Sequence, residues 1–277
     1  MTSIVIWKND EESGALWACS DSRITQSNSK MMDSCSKIFT IPVICHIKND
    51  VHRLNPIYIT SIGFAFAGGT LINQNVKDFL SVALSSLLSV TDVTDKQSLF
   101  NNLPSIHDIA SKSVAIAKSL MLEVGQSFPR NTLFEYSIFG YCHKKGDYVA
   151  YHVCHKDGRG NVEIEESNIY DGNQLIMGDK TRDVLNYIEI FRESSIPNSL
   201  AWWRAPLKAL KKIVENDEVE TIGGWLQIAL ATPLGVNIKS VVNQQDELNY
   251  ISTDLLKHFN LMGGYIVSLN GMDVDFV

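Results

Sequence analysis

The chain opens Met1-Thr2, and Thr2 holds a complete reactive pair if Met1 is lost. A small second residue lets methionine aminopeptidase remove the initiator, so the mature chain is expected to begin with threonine. One residue then carries a hydroxyl and a free amine. The α-amine has an unperturbed pKa of about 7.7–8.0, so it can take the hydroxyl proton near neutral pH. Nucleophile and base are supplied together, and no histidine is needed. Two further features follow. Ser20-Asp21-Ser22-Arg23-Ile24-Thr25 closes an apolar run, and Lys37 comes sixteen residues after Asp21. Ala67-Gly68-Gly69 ends another run. Taken singly, Asp21 and Lys37 could be an ion pair between strands, of little consequence at a surface. The glycines could be a strand-to-helix turn.

The elements that must position these residues read as alternating groups. Ser3 to Trp7 and Gly14 to Ser20 are apolar runs around the polar turn Lys8 to Ser13, a hairpin pattern. Lys37 to Cys45 and Tyr58 to Ala67 are two more strands, with the loop-like His46 to Pro56 between them. Val76, Phe79, Leu80, Ala83, Leu84 and Leu87 recur at helical spacing. Ser105 with Asp108 three residues on marks a second helix start, after Pro104 and ahead of a face of Ile109, Ile116, Ala117, Leu120 and Val124. Strands return at Leu133 to Cys142, Tyr148 to Cys154, Val162 to Glu166 and Gln174 to Met177. Turns fall at 145–147 and 157–160. Helices are predicted over Thr181 to Arg192, Pro206 to Glu215 and Gly224 to Ala231, and closing strands at Val236 to Val242 and Tyr265 to Leu269. Hairpin-linked strands argue against a parallel βαβ fold. The grouping predicts an α+β, four-layer α-β-β-α sandwich of two antiparallel sheets flanked by helix pairs, as one domain over residues 1–277.

The N-terminal threonine, the Asp-Ser-Arg-x-Thr strand end, the lysine sixteen residues on and the Ala-Gly-Gly before a helix occur here in one order. In that order they resemble the proteasome β-subunit family and its bacterial relatives, which are N-terminal-nucleophile (Ntn) hydrolases. Ser20 stands where the family has alanine. The resemblance implies a role for each matching residue. Thr2 would be the nucleophile and its amine the base. Lys37 would lie beside the hydroxyl, lowering its pKa or relaying its proton, and Asp21 would keep Lys37 charged and oriented. The Gly68 N–H would donate to the oxyanion of the tetrahedral intermediate. Thr25 would pair its backbone with an extended peptide. Ile24, Cys35, Phe39, Phe66 and Thr70 would wall a shallow pocket for a small or medium apolar side chain. The family implies threonine-protease chemistry on peptides or unfolded protein without a cofactor. It also implies a homo-oligomer, ring-forming and served by an ATP-dependent unfoldase.

Two segments depart from the family pattern. Gly178 fits the later Gly-Ser-Gly-like turn, but Asp179 replaces the serine that would hold the terminal amine. A carboxylate there can still accept from the amine, and would raise the amine pKa by charge attraction. The family also carries an Asp and a Ser before a late Gly-Gly. Here Gly223 and Gly224 follow Val219 and Ile222 at those positions, with Glu218, Glu220 and Thr221 as the nearby polar candidates. These departures keep two alternatives in view: a non-catalytic proteasome-like subunit, and an amidohydrolase acting on small amides. The loop 46–56 and the tail 243–277 are surplus to the family pattern.

Composition bounds the rest. Of 277 residues, 45% are hydrophobic and 20% charged, an ordinary globular balance that excludes wholesale disorder. Lys and Arg number 24 against 31 Asp and Glu, for a net charge of -7. That argues against sequence-independent nucleic-acid binding, which needs a basic face. Cys19, Cys35, Cys45, Cys142 and Cys154 form no CxxC pair and are odd in number, so a disulfide framework is not expected and a reducing cytoplasm is. His143, His152 and His155 lie near Cys142 and Cys154, but the spacing does not suit zinc, and surface histidines with buried free thiols are expected. No apolar run reaches the ~18 residues of a membrane helix, and the start has no basic, signal-like region.

Overall fold

The computed structural model describes the chain except residues 1, 12–13, 27–28, 49, 51, 53, 91–95, 129–131, 157–160, 217–218, 243–247, 250–260, 263–264, 267–270 and 274–277. Met1, Glu218 and the turn at 157–160 are therefore outside it, as is most of the tail. The first elements are β1 (Ser3–Asn9), β2 (Ala15–Ser20), β3 (Ile24–Gln26), β4 (Ser29–Met32), β5 (Ile38–His46) and β6 (Ile57–Gly68). Then come α1 (Thr70–Leu84), β7 (Leu87–Leu88), α2 (Lys96–Asn101) and α3 (Ile106–Ser127). Next are β8 (Phe134–Cys142), β9 (Asp147–His155), β10 (Glu163–Glu166) and β11 (Gln174–Gly178). Helices α4 (Thr181–Glu193), α5 (Leu200–Trp203) and α6 (Ala205–Asn216) follow. Last are β12 (Gln227–Thr232), β13 (Gly235–Val242), β14 (Leu248–Asn249), β15 (Leu261–Met262), β16 (Tyr265–Ile266) and β17 (Gly271–Asp273). The chain is a mixed α+β protein, and none of its described helices is long and apolar enough to cross a membrane.

It divides into two compact units. The first comprises residues 1–39, 169–230 and 237–277. Its sheet runs β11-β1-β2-β12-β13-β14, and β17 pairs with β13 in parallel. The β1–β2 hairpin sets Trp7 opposite Trp17, ring centroids 5.7 Å apart. Alternation sends Val5, Trp7, Trp17 and Cys19 to one face. There they meet Val184 and Ile188 of α4 and Leu207, Leu210 and Ile213 of α6, one turn-spaced stripe from each helix. Ile4, Ile6 and Leu16, which point the other way, are also fully buried, so β1 and β2 are apolar on both faces.

The second unit comprises residues 40–168 and 231–236. Its sheet runs β10-β9-β8-β6-β5-β7. Helix α1 buries Ile72, Val76, Leu80 and Leu84, every fourth residue. The expected face differs at two positions: Phe79 is exposed, and Leu87 lies past the helix in β7. Helix α3 starts with the capping box read from sequence. Ser105 Oγ accepts from the Asp108 N–H at 3.1 Å, and the Asp108 carboxylate accepts from the Ser105 N–H at 2.8 Å. The loop after β5 is organised by one carboxylate. Asp50 accepts from the backbone N–H groups of Leu54 at 2.9 Å and Asn55 at 2.8 Å, with His46 Nδ1 at 3.4 Å.

Two expectations need correction. The helix predicted over 224–231 is not formed; Gln227–Thr232 is a central strand, and Gly224 with φ +78° breaks any helix entering it. His155 is not at the surface. It is buried and stacked on Phe134, ring centroids 6.0 Å apart. The five cysteines are free thiols, all buried except the half-buried Cys35.

Candidate active site

The site is built at one end of β1 and β2 in the first unit. The strands pair antiparallel with Ile4 opposite Ser20, so Ser3 lies beside Asp21, the first residue past β2. The Asp21 N–H donates to the Ser3 carbonyl at 3.3 Å. In return the Ser3 N–H donates to Asp21 Oδ1 at 3.0 Å. The same Oδ1 accepts from the Lys37 ammonium at 2.9 Å. The Asp21 Oδ2 accepts from the N–H groups of Arg23 at 3.2 Å and Gly223 at 3.1 Å. Asp21 and Lys37 are 0% and 1% exposed. This is a desolvated ion pair, unlike the surface pair that sequence alone allows.

Lys37 precedes β5 and points its ammonium back to the end of β2. Besides Asp21, its Nζ donates to the Arg23 carbonyl at 2.6 Å. Arg23 does not compete for Asp21, because Asp33 takes its charge. Arg23 Nε donates to Asp33 Oδ1 at 2.7 Å, and Lys30 lies 3.0 Å from Asp33 Oδ2. Burial alone would raise the Asp33 carboxyl; the bonds from Arg23 and Lys30 outweigh it and hold the group below the usual range. Burial pushes the Asp21 carboxyl up against the pull of Lys37 and the backbone donors. Burial likewise pushes the Lys37 ammonium down, against the attraction of Asp21. A lysine held in this way is nearer to releasing a proton than one in water.

Thr2 is 5% exposed. Its carbonyl accepts from the Asp179 N–H at 2.7 Å, and Ser3 Oγ donates to the Asp179 carbonyl at 2.6 Å. Ser3 pairs with Gly178, whose φ of +89° turns the chain at that point. Asp179 thus brackets Thr2 and Ser3 through its backbone. Its carboxylate has no hydrogen bond or ion pair among the described residues.

The structure brings Thr2, Asp21, Lys37 and Asp179 together in the first unit. Ile24 and Thr25 lie in the same unit on β3, paired with Met32 and Lys30 of β4 across a register shift. Both are half-buried, as are Cys35 and Phe39. Cys35 lies within electrostatic reach of Lys37. Burial raises its thiol pKa, and the lysine charge works against that rise. Gly68, Phe66 and Thr70 belong to the second unit. Gly68, at φ +76°, is exposed at the end of β6, and a side chain there would touch nothing within 4 Å. Thr70 is the first, exposed residue of α1, and Phe66 is buried with Tyr136 as its register partner on β8.

The late segment takes a role its sequence did not advertise. Ile222 turns into the apolar core of the first unit, and Val219 packs against that core. Glu220 is exposed, and Thr221 Oγ1 is buried without a partner among the described residues. The contacts to the end of β2 come from the backbone instead: Gly223 donates to Asp21, and its carbonyl accepts from the N–H groups of Ser22 and Arg23 at 3.2 and 3.0 Å. Ser22 Oγ accepts from the Trp225 N–H. Gln227, unremarked in the sequence, grips the start of the Lys37 strand; no local pattern marks a residue whose partners lie about 190 positions away. Among the described residues no three His, Cys, Asp or Glu side chains converge as metal ligands. No protein-family model matches this chain, and no curated protein does.

Proposed function

We propose that the chain is an N-terminal-threonine hydrolase that cleaves peptide or amide bonds after loss of Met1. One observation supports this above the others. A single buried carboxylate oxygen, Asp21 Oδ1, joins the N–H of the residue next to Thr2 to the ammonium of Lys37. In this reading the Thr2 amine takes the hydroxyl proton as Oγ attacks the carbonyl carbon. The C–N bond then breaks, and the leaving amine departs with that proton. Water attacks the resulting ester, the amine again serving as base, and the acid product and free Thr2 are regenerated. Lys37 supplies positive charge beside the oxygen throughout.

The same reading takes the two units as a four-layer α-β-β-α sandwich. Gly68 would then offer its N–H to the oxyanion, Thr25 would pair with an extended peptide, and Phe66 and Thr70 would join Ile24, Cys35 and Phe39 in the pocket wall. It includes a homo-oligomeric, ring-forming, cytoplasmic assembly working with an unfoldase. The test is intact-mass measurement of the N terminus, followed by mapping of an adduct from a covalent threonine-directed inhibitor. Labelling at Thr2 is expected, absent in Thr2→Ala and sharply reduced in folded Lys37→Ala. Retained Met1, or no adduct on a chain that begins at Thr2, refutes the proposal.

A second reading, a non-catalytic subunit, is favoured by the apolar Val219 and Ile222 and by an Asp179 carboxylate that has no partner among the described residues. A folded chain that begins at Thr2 and takes no label supports it. Peptides tested against small amides separate a peptidase from a small-amide amidohydrolase.

A further inference from the structure

Lys37 lies one residue ahead of β5. Its N–H goes to a side chain: Gln227 Oε1 accepts from Lys37 N at 2.9 Å and from Ile38 N at 3.3 Å. At its other end, Gln227 Nε2 donates to the Cys35 carbonyl. Two donors facing one end of the amide and a carbonyl facing the other fix which atom is oxygen and which nitrogen. Gln227 is 0% exposed, so no water can replace these bonds. It leads β12, a neighbour of β2 in the sheet, and so is tied to the strand that ends just before Asp21. The lysine is therefore held at both ends. Asp21 and the Arg23 carbonyl fix the ammonium, and one amide fixes the backbone on either side of its Cα.

We propose that Gln227 is a positioning residue for Lys37, setting where the ammonium stands relative to Asp21 and Thr2. The proposal rests on the reading of Thr2 as nucleophile. Methionine at 227 fills the space but leaves two buried N–H groups without an acceptor. Glutamate, when protonated, keeps an acceptor oxygen for Lys37 and Ile38 and a donor for Cys35; when ionised it loses the donor and adds charge.

The experiment measures the rate of Thr2 labelling by a threonine-directed electrophile from pH 6 to 8. Each variant is compared at equal folded fraction. Gln227→Met is expected to label at least tenfold more slowly than the natural chain at every pH. Gln227→Glu is expected to recover most of that loss toward pH 6 and lose it again toward pH 8. Labelling of Gln227→Met within twofold of the natural chain overturns the proposal, as do Glu and Met variants equally slow throughout. Should Gln227→Met not fold, the pH-dependent ratio of Gln227→Glu to the natural chain carries the test, and a flat ratio overturns it. No labelling of the natural chain refutes the hydrolase reading instead. Positioning is then read from the Lys37 ¹³Cε titration, with Lys37→Arg for assignment. A midpoint moved in Gln227→Met or Gln227→Glu supports it, and an unmoved one overturns it.

Discussion

Removing either member of the buried Asp21–Lys37 pair should destabilise the first unit, but not equally. Breaking a buried ion pair by deleting one partner costs about 3–5 kcal/mol. Lys37→Met leaves the Asp21 carboxylate with three backbone donors, from Ser3, Arg23 and Gly223. They continue to stabilise the charge, so this change belongs at the lower end, about 3 kcal/mol. Asp21→Ala strands the Ser3 and Gly223 N–H groups, while the Arg23 N–H keeps the Gly223 carbonyl, and it leaves the ammonium with only the Arg23 carbonyl of its two acceptors. Each orphaned buried donor costs about 1–3 kcal/mol, so Asp21→Ala should exceed Lys37→Met by about 2 kcal/mol or more. The double variant removes both charges and should cost less than the sum of the single changes by roughly 1–3 kcal/mol. The assay is urea unfolding followed by tryptophan emission, since Trp7, Trp17, Trp202, Trp203 and Trp225 all lie in the first unit. A Lys37→Met change as costly as Asp21→Ala, or additive costs in the double variant, would refute this account of the carboxylate as the hub.

Three further outcomes follow from the second unit. Burial depresses the His143 pKa, and its ring lies edge-on to Phe100 and Tyr141. The neutral ring therefore contributes stability that is complete above the unfolded value of about 6.5 and is lost as pH falls through the lower folded value. NMR titration should show the ring still neutral below pH 6.5, and His143→Phe should flatten the fall in melting temperature over that range. A Cβ at Gly63 would run into the buried Phe139 ring. Gly63→Ala should cost at least about 1–3 kcal/mol in thermal unfolding, and Phe139→Leu in the same chain should restore part of it. Ser105→Ala removes one half of the α3 capping box and should cost about 1 kcal/mol, read as a lower melting temperature, with Ser105→Asn close to the natural chain.

What the sequence revealed depended on how local the controlling physics was. The β1–β2 hairpin and the α3 cap are visible because their signals lie within a few residues: alternation around Trp7 and Trp17, and Ser105 followed by Asp108. The stretch Gly224 to Ala231 misleads because a short apolar run fits strand and helix periods alike. Gly224 at φ +78° and the pairing of β12 beside β2 decide it. β3 and β4 escaped notice because their polar stretch lacks an apolar period. At the candidate site, Asp21 and Lys37 stand out through the family resemblance, as types in a matching order. Their mutual burial does not, since it depends on Gly223 and Gln227 arriving from the far end of the chain. His155 was misplaced for a similar reason: only its stacking on Phe134 takes it indoors.

The grip of Gly223 on Asp21 and of Gln227 on the Lys37 backbone also sets a clock on the ribosome. Asp21 is made 206 residues before Gln227. At about 5–20 residues per second, roughly 10–40 s pass between them. Throughout that interval the nascent chain has no Gly223 N–H for the carboxylate and no amide for the lysine strand. The β11 partner of β1 is also late. Contacts this distant slow folding as well. Asp21 and Lys37 are thus made early and framed late, so a chain still being made does not yet hold the pair in place.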